Sequence, residues 1–331
     1  MDFQKLLNKF GIVENPISFR KIEKGHINLT YIAELSNSSV IIQSINRSVF
    51  KDYKSVMHNI ELTEQIFKKN HLSNVTVPFY FHTPDGHNYY KENDDIFRIY
   101  RFIPSIECKC SPYHTGKAYG SFIKVIEDGK NKKTEYAVSL PDFHNFSAYF
   151  KKLTILDKES KLKKIDKSIL IRMSALENTL NSVFDCYLTK RIVHNDAKSD
   201  NIIAGNPVCI IDLDTVMNGY AAIDYGDMVR SVTSSDFSLN TIKQITEGFA
   251  DGLNGLLTEE EVVSLYFGIL YVTGELAVRY LSDYIGNINY FKDKTPSMCL
   301  SRANELFNQL NTFTKYQDDI TAIIYKAFKK K

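Results

Sequence analysis

The chain has 331 residues, with 41 lysines and arginines against 39 aspartates and glutamates, a formal net charge of +2. So even a balance gives no electrostatic footing for a nucleic-acid or polybasic membrane partner, and the length is enough to bury one large core or two moderate ones. Residues 1–7 lack the apolar core and small-residue cleavage site of a secretory signal, and the most apolar run, residues 262–281, is interrupted by Glu275 and Arg279. The expectation is a soluble, cytoplasmic protein with no membrane partner, a monomer or weak dimer. Of the five cysteines only Cys108 and Cys110 are close in sequence, with nothing at zinc spacing beside them, so reduced thiols are expected.

In chain order, residues 17–22, 29–35 and 40–45 read as three strands of an antiparallel meander. Residues 52–69 then carry Val56, Ile60, Thr63 and Phe67 in one helical row. Residues 75–82 and 95–103 read as two further strands joined through Pro84-Asp85-Gly86. Beyond Pro104 the pattern turns helical at 113–127, 145–153 and 162–188, and again from about residue 220 to the end, with a solvated loop at 128–133. The expected class is α+β, with a small sheet-rich lobe (1–103), a larger helical lobe (104–331) and a ligand cleft between them.

Two β-prone runs interrupt the helical half and flank a polar loop, His194-Asn195-Asp196-Ala197-Lys198-Ser199-Asp200-Asn201, and the second run, Cys209-Ile210-Ile211, ends in Asp212-Leu213-Asp214. Phosphoryl transfer asks a protein for a carboxylate to orient and deprotonate the attacking hydroxyl, a cation near the γ-phosphate, and hard oxygen ligands for a divalent metal. The loop supplies these types at the spacing of a kinase catalytic loop, in which an aspartate is followed five positions later by a metal-binding asparagine. On that match Asp196 is the base, Lys198 stabilises the transferring group, Asn201 and Asp212 hold Mg2+, and His194 braces the loop.

Here the chain resembles the aminoglycoside phosphotransferase and choline kinase superfamily, which has the protein-kinase-like fold. Within it the N-acetylhexosamine 1-kinase branch is most similar. The resemblance rests on Ile211-Asp212-Leu213-Asp214-Thr215-Val216-Met217-Asn218-Gly219, on Asp224-Tyr225-Gly226-Asp227-Met228-Val229-Arg230, and on Gly25-His26-Ile27-Asn28-Leu29-Thr30-Tyr31. Pro141-Asp142-Phe143-His144-Asn145 and Arg279-Tyr280-Leu281-Ser282-Asp283-Tyr284 add to it. It implies an ATP- and Mg2+-dependent kinase acting on a small-molecule acceptor, a sugar first of all.

The resemblance places Gly25, His26, Asn28 and Thr30 at the phosphate-covering turn and the strand after it, and Arg101 at the adenine-side junction of the lobes. Gln43 stands where a kinase has the lysine that pairs with the α and β phosphates, a departure the branch shares. Arg47 and Lys24 are candidates for the missing charge, and Glu61 and Glu64 remain on the following helix. Glu275, Arg279 and Asp283 fall on one face of a mostly apolar helix, a pattern that fits either a buried ionic network or the wall of a polar cleft. The resemblance implies sugar contacts for Arg279 and Tyr290, with His144 as a further candidate. Asp224 and Asp227 are expected to brace the loop, and Asp214 to support or join the metal site. Two competing readings are a kinase for choline, an aminoglycoside or another sugar, and a nucleotide-binding pseudokinase.

Overall fold

The computed structural model describes residues 2–23, 27–70, 74–106, 109–131, 134–160, 165–184, 188–288, 290–291 and 294–329. The first element is a short helix the residue pattern did not announce, α1 (Phe3–Lys9), capped by the Asp2 carboxylate on the Lys5 N–H. A meander follows as expected: β1 (Ser18–Ile22), β2 (Leu29–Glu34) and β3 (Ser39–Ser44), then α2 (Tyr53–Lys69). Val56, Ile60, Thr63 and Phe67 of α2 are all buried, as the helical row predicts.

The next stretch departs from expectation. Only Val75–Thr76 of residues 75–82 forms a strand (β4), and it runs parallel to a strand of the helical half rather than joining the meander. Pro78 has no N–H to give a ladder, and the chain meets the sheet again at Tyr80 opposite Tyr100, where the Phe81 N–H donates to the Ile99 carbonyl. The hairpin partner of β6 (Asp95–Arg101) is instead β5 (Tyr90–Glu92), reversed at Asn93, which takes the left-handed φ of 55°. The five-stranded antiparallel sheet has the order β1-β2-β3-β6-β5. Its outer face (Ala33, Val40, Ile42, Phe97, Ile99) packs on Leu6 and Leu7 of α1, and its inner face (Ile32, Ile41, Ile96, Tyr100) faces α2.

The rest is mostly helical: α3 (Pro112–Gly129), α4 (Phe146–Glu159), α5 (Lys167–Phe184), α6 (Ala221–Val232), α7 (Leu239–Leu253), α8 (Glu259–Gly286), α9 (Pro296–Lys315) and α10 (Gln317–Lys329). Between α5 and α6 lie four short strands. β7 (Arg191–Val193) pairs with β10 (Met217–Gly219), and β8 (Ile202–Ile203) with β9 (Val208–Ile210), which also takes β4.

α8 is the spine of this half. It is long and apolar enough to cross a membrane, yet 78% of its most apolar window is buried inside the fold, against α4, α6 and α9 among others. The packing on α6 is backbone to backbone: a Cβ on Gly268 would lie 1.9 Å from the Ala222 carbonyl oxygen. That approach sets the start of α6, with Asp224, beside the α8 face that carries Glu275 and Arg279.

Candidate active site

The polar loop leaves β7 through Asn195, whose left-handed φ of 61° turns the chain sharply. The turn is held from α6, where the buried Asp224 carboxylate accepts the backbone N–H groups of His194 (2.8 Å) and Asn195 (2.7 Å). Burial pushes that carboxyl up to about 7 even against these two hydrogen bonds. The Thr215 hydroxyl donates to the His194 carbonyl at 2.7 Å, and Asn195 Nδ2 to the Thr215 carbonyl at 3.0 Å. The His194 imidazole accepts from the Asp196 N–H on Nδ1 and so carries its proton on Nε2, which donates to the Ile211 carbonyl at 3.0 Å. Burial lowers its pKa, and the neutral ring joins the loop to the strand that delivers Asp212. Asp227 is spent on Arg230 of its own helix, so of the two α6 aspartates expected to brace the loop only Asp224 touches it.

Within the loop, Asp196 Oδ2 accepts from Lys198 Nζ at 2.7 Å and from Asn201 Nδ2 at 2.9 Å. Asp196 Oδ1, Asn201 Oδ1 and the Asp212 carboxylate receive no hydrogen bond from the described residues. Asp212 is held at the strained, left-handed φ of 63°. Its burial, with the Asp214 and Asp196 carboxylates nearby, pushes its carboxyl up to about 7. For Asp196, burial works against ionisation, but Lys198, with His194 and the Asn201 amide, more than offsets it and keeps the carboxylate below its ordinary range. Unfilled oxygen acceptors amid crowded negative charge suit a hard divalent cation, so these residues fit magnesium.

Toward the sheet, Gly25 and His26 lie outside the described residues. Asn28, Thr30 and Gln43 come together, but on each other. Gln43 Nε2 donates to Thr30 Oγ1 at 3.3 Å, and Asn28 donates to Asp214 at 2.6 Å while accepting the Asn46 N–H at 2.9 Å. Their common centre is Arg98, which composition and spacing did not single out. It stands on β6 directly opposite Gln43, donates from Nε to Gln43 Oε1 at 2.9 Å, and forms an ion pair with Asp214. A signal existed: in β6 the inward positions are Ile96, Arg98 and Tyr100, one charge in an apolar row facing the polar Gln43.

Arg47, a candidate for that charge, pairs instead with exposed Asp94. Glu61 pairs with His82, and Glu64 takes the Tyr80 N–H at 2.5 Å and Lys68 at 3.2 Å. Arg101 is not brought to the loop. It lines an open cavity of about 600 Å3 with Phe79, Tyr80, Ile106, Pro207 and Cys209, a lining that includes none of Asp196, Asn201 and Asp212.

On the opposite wall, Glu275 of α8 is buried between two cations, His144 Nδ1 at 3.1 Å and Arg279 Nη1 at 3.4 Å. The other ring nitrogen of His144 meets the carbonyl oxygen of Asn195 at 2.6 Å, so His144 uses both nitrogens on the protein and braces the polar loop. Burial works against a charged His144, but Glu275 and the Asn195 carbonyl more than offset it and raise its pKa. The Arg279 guanidinium lies 5.2 Å from the ring centre of Tyr149 and 4.9 Å from that of Tyr290, with Phe143 and Phe291 each at 5.9 Å. It also donates to the Tyr290 hydroxyl at 2.8 Å. Asp283 accepts the Tyr290 and Phe291 N–H groups and so fixes the loop after α8. The charged row is thus an ionic network at its Glu275 end and an aromatic-lined cation at Arg279.

The family model described as "Phosphotransferase enzyme family" matches residues 18–256. Among solved structures, a microcompartment-associated aminopropanol kinase is similar at 13% identity over 96% of this chain and 98% of that one, with a TM-score of 0.68. Choline kinase from Cryptosporidium parvum Iowa II gives 12% identity over 92% and 91%, with a TM-score of 0.61. Spectinomycin phosphotransferase in complex with ADP and spectinomycin gives 14% over 98% of both chains, with a TM-score of 0.55. At these identities the likeness shows a shared fold, the two-part protein-kinase-like architecture described above.

Proposed function

Because the chain belongs to the phosphotransferase enzyme family, we propose that it transfers the γ-phosphoryl group of ATP, with magnesium, to a hydroxyl of a sugar. The anomeric hydroxyl of an N-acetylhexosamine is the leading acceptor. The observation that carries the acceptor class is Arg279 seated among Phe143, Tyr149, Tyr290 and Phe291. A cationic acceptor such as choline is recognised by an aromatic cage or free carboxylates, and here the aromatic cluster already surrounds a cation of the protein. Glu275 is neutralised twice, and Asp283 is spent on backbone N–H groups. A guanidinium and a tyrosine hydroxyl suit the oxygens of a neutral, hydroxyl-rich molecule.

In this reading the acceptor hydroxyl donates its hydrogen bond to Asp196 Oδ1. As its oxygen attacks the γ-phosphorus, the bond from phosphorus to the ADP oxygen breaks and the proton passes to Asp196. Lys198, anchored on Asp196 Oδ2, places positive charge beside the transferring group. Asn201 and Asp212 would hold magnesium, which supplies charge neutralisation on the phosphates. His144, through the Asn195 carbonyl, keeps the base in register with the acceptor wall.

The second reading, a kinase for an amino alcohol or aminoglycoside, is supported by the likeness to an aminopropanol kinase, a choline kinase and a spectinomycin phosphotransferase. An ATP-consumption screen with magnesium over hexoses, N-acetylhexosamines, aminoglycosides, aminopropanol and choline separates the two. Turnover confined to uncharged sugars is expected. Turnover confined to cationic acceptors would overturn the acceptor assignment, and magnesium-dependent ATP binding without any turnover would favour the pseudokinase.

A further inference from the structure

We infer that Arg98 is the residue that stands in for the phosphate-pairing lysine absent at Gln43, supplying from β6 the positive charge that a kinase ordinarily carries on β3. The inference rests on the nucleotide-binding half of the proposed function and assigns Arg98 as a residue that binds the nucleotide phosphates.

Gln43 and Arg98 are directly opposed across β3 and β6, so their side chains leave the same face of the sheet, the face shared with Ile41 and turned toward α2. Moving a cation from one to the other shifts it by a single strand. Arg98 is wholly buried, and a buried guanidinium without countercharge is costly, so its partners are informative. They are Gln43, through Nε, and Asp214, two residues beyond the metal-holding candidate Asp212. Asp212 also acts electrostatically on Arg98. Asp214 in turn takes the amide of Asn28, at the end of the turn predicted to cover the phosphates. One guanidinium therefore ties together the substituted β3 position, the phosphate-covering turn and the metal-holding segment. In the lysine arrangement the β3 lysine pairs with the α and β phosphates and with a glutamate of the following helix.

The second observation is independent of these contacts. Arg98 Nη2 is buried and has no hydrogen-bond partner, the one such side-chain atom among the described residues. A buried charged donor without an acceptor is rare in a folded protein and marks a place where an acceptor belongs. Next to the metal-holding segment, a phosphate oxygen of a nucleotide is an acceptor of the right charge. Glu61 and Glu64, the acidic residues that would partner a lysine at position 43, are committed to His82, Lys68 and the Tyr80 N–H, as expected where that lysine is not used.

The test is calorimetric binding of adenosine and of ADP with magnesium to the full chain, as wild type, Arg98→Gln and the transposed pair Gln43→Lys/Arg98→Gln. Arg98→Gln is expected to weaken Mg-ADP by about tenfold or more, the scale of one charge-assisted phosphate contact, and to leave adenosine affinity within about twofold. The transposed pair, with the cation back on β3, is expected to recover most of the loss. Unchanged Mg-ADP affinity in Arg98→Gln would overturn the inference. So would equal loss of adenosine and Mg-ADP, which marks a structural role only. If Arg98→Gln does not fold, the transposed pair decides alone: near wild-type affinity for both ligands supports the inference, and retained adenosine binding without Mg-ADP binding overturns it. A wild type that binds neither ligand would overturn the nucleotide reading itself, an outcome distinct from all of these.

Discussion

Arg98 and Asp214 form an ion pair with side chains 0% and 2% exposed, joining β6 of the sheet to the segment that follows Asp212. Removing one member of such a pair strands the other as a buried charge. Asp214→Ala is therefore expected to destabilise the protein by about 3–5 kcal/mol, and Arg98→Met/Asp214→Ala by much less than the sum of the single changes. A double-mutant cycle in urea measures this. Additive effects would show that the two groups do not depend on each other.

The His144 and Glu275 pair gives stability a two-sided pH dependence. The folded-state pKa of His144 is raised above its ordinary 6.5, so its contribution is complete below that value and is lost as pH rises through the raised pKa. Glu275 is the reverse: burial opposes its ionisation, His144 and Arg279 more than offset that, and its pKa falls below 4.5. Its contribution is present above 4.5 and is lost as pH falls through the lowered pKa. In His144→Gln the loss on the alkaline side should vanish, so the stability gap from wild type narrows between about pH 6 and pH 9. Denaturation midpoints at the two pH values measure it, and a constant gap would refute the pairing.

Arg279→Gln removes the cation from its aromatic surroundings and leaves the nucleotide side untouched. We expect the acceptor KM to rise by about tenfold or more, while the ATP KM and Mg-ADP affinity stay near wild type. Steady-state kinetics with each substrate varied in turn makes the separation. A rise in the ATP KM alone would move Arg279 out of the acceptor wall.

Gly268→Ala places a methyl group into the Ala222 carbonyl, 1.9 Å away by construction, so α6 and α8 must separate. The expected cost is about 1–3 kcal/mol or more. Because Asp224 reaches the loop from α6, turnover per folded molecule should fall as well. A variant as stable and active as wild type would show that the loop does not depend on this packing.

The grouping of the polar loop was legible because it is local: Asp196, Lys198 and Asn201 lie within six consecutive positions, and the structure joins their side chains by hydrogen bonds. The meander and the row on α2 were legible for a similar reason, since strand and helix periods show in a few residues. What escaped was non-local. Arg98 and Asp214 are 116 positions apart, and neither residue type alone announces a partner. The reach of β4 to β9 pairs Val75 with Val208, far apart in sequence, and the hairpin at Asn93 depends on a left-handed turn that Pro84-Asp85-Gly86 outranked as a signal. His144 reads in sequence as a candidate sugar contact, and only the fold shows that α8 brings Glu275 to one of its nitrogens and the turn at Asn195 to the other.

The central claim is that Asp196 is the base of a phosphoryl transfer, and the most direct measurement is turnover by Asp196→Asn with the acceptor that the wild type uses. The substitution keeps the shape of the side chain and removes its ability to take the proton. Turnover is predicted to fall by about 10^2- to 10^4-fold, the usual worth of a general base, with Mg-ADP affinity within a few-fold of wild type. Undiminished turnover in Asp196→Asn would contradict the account.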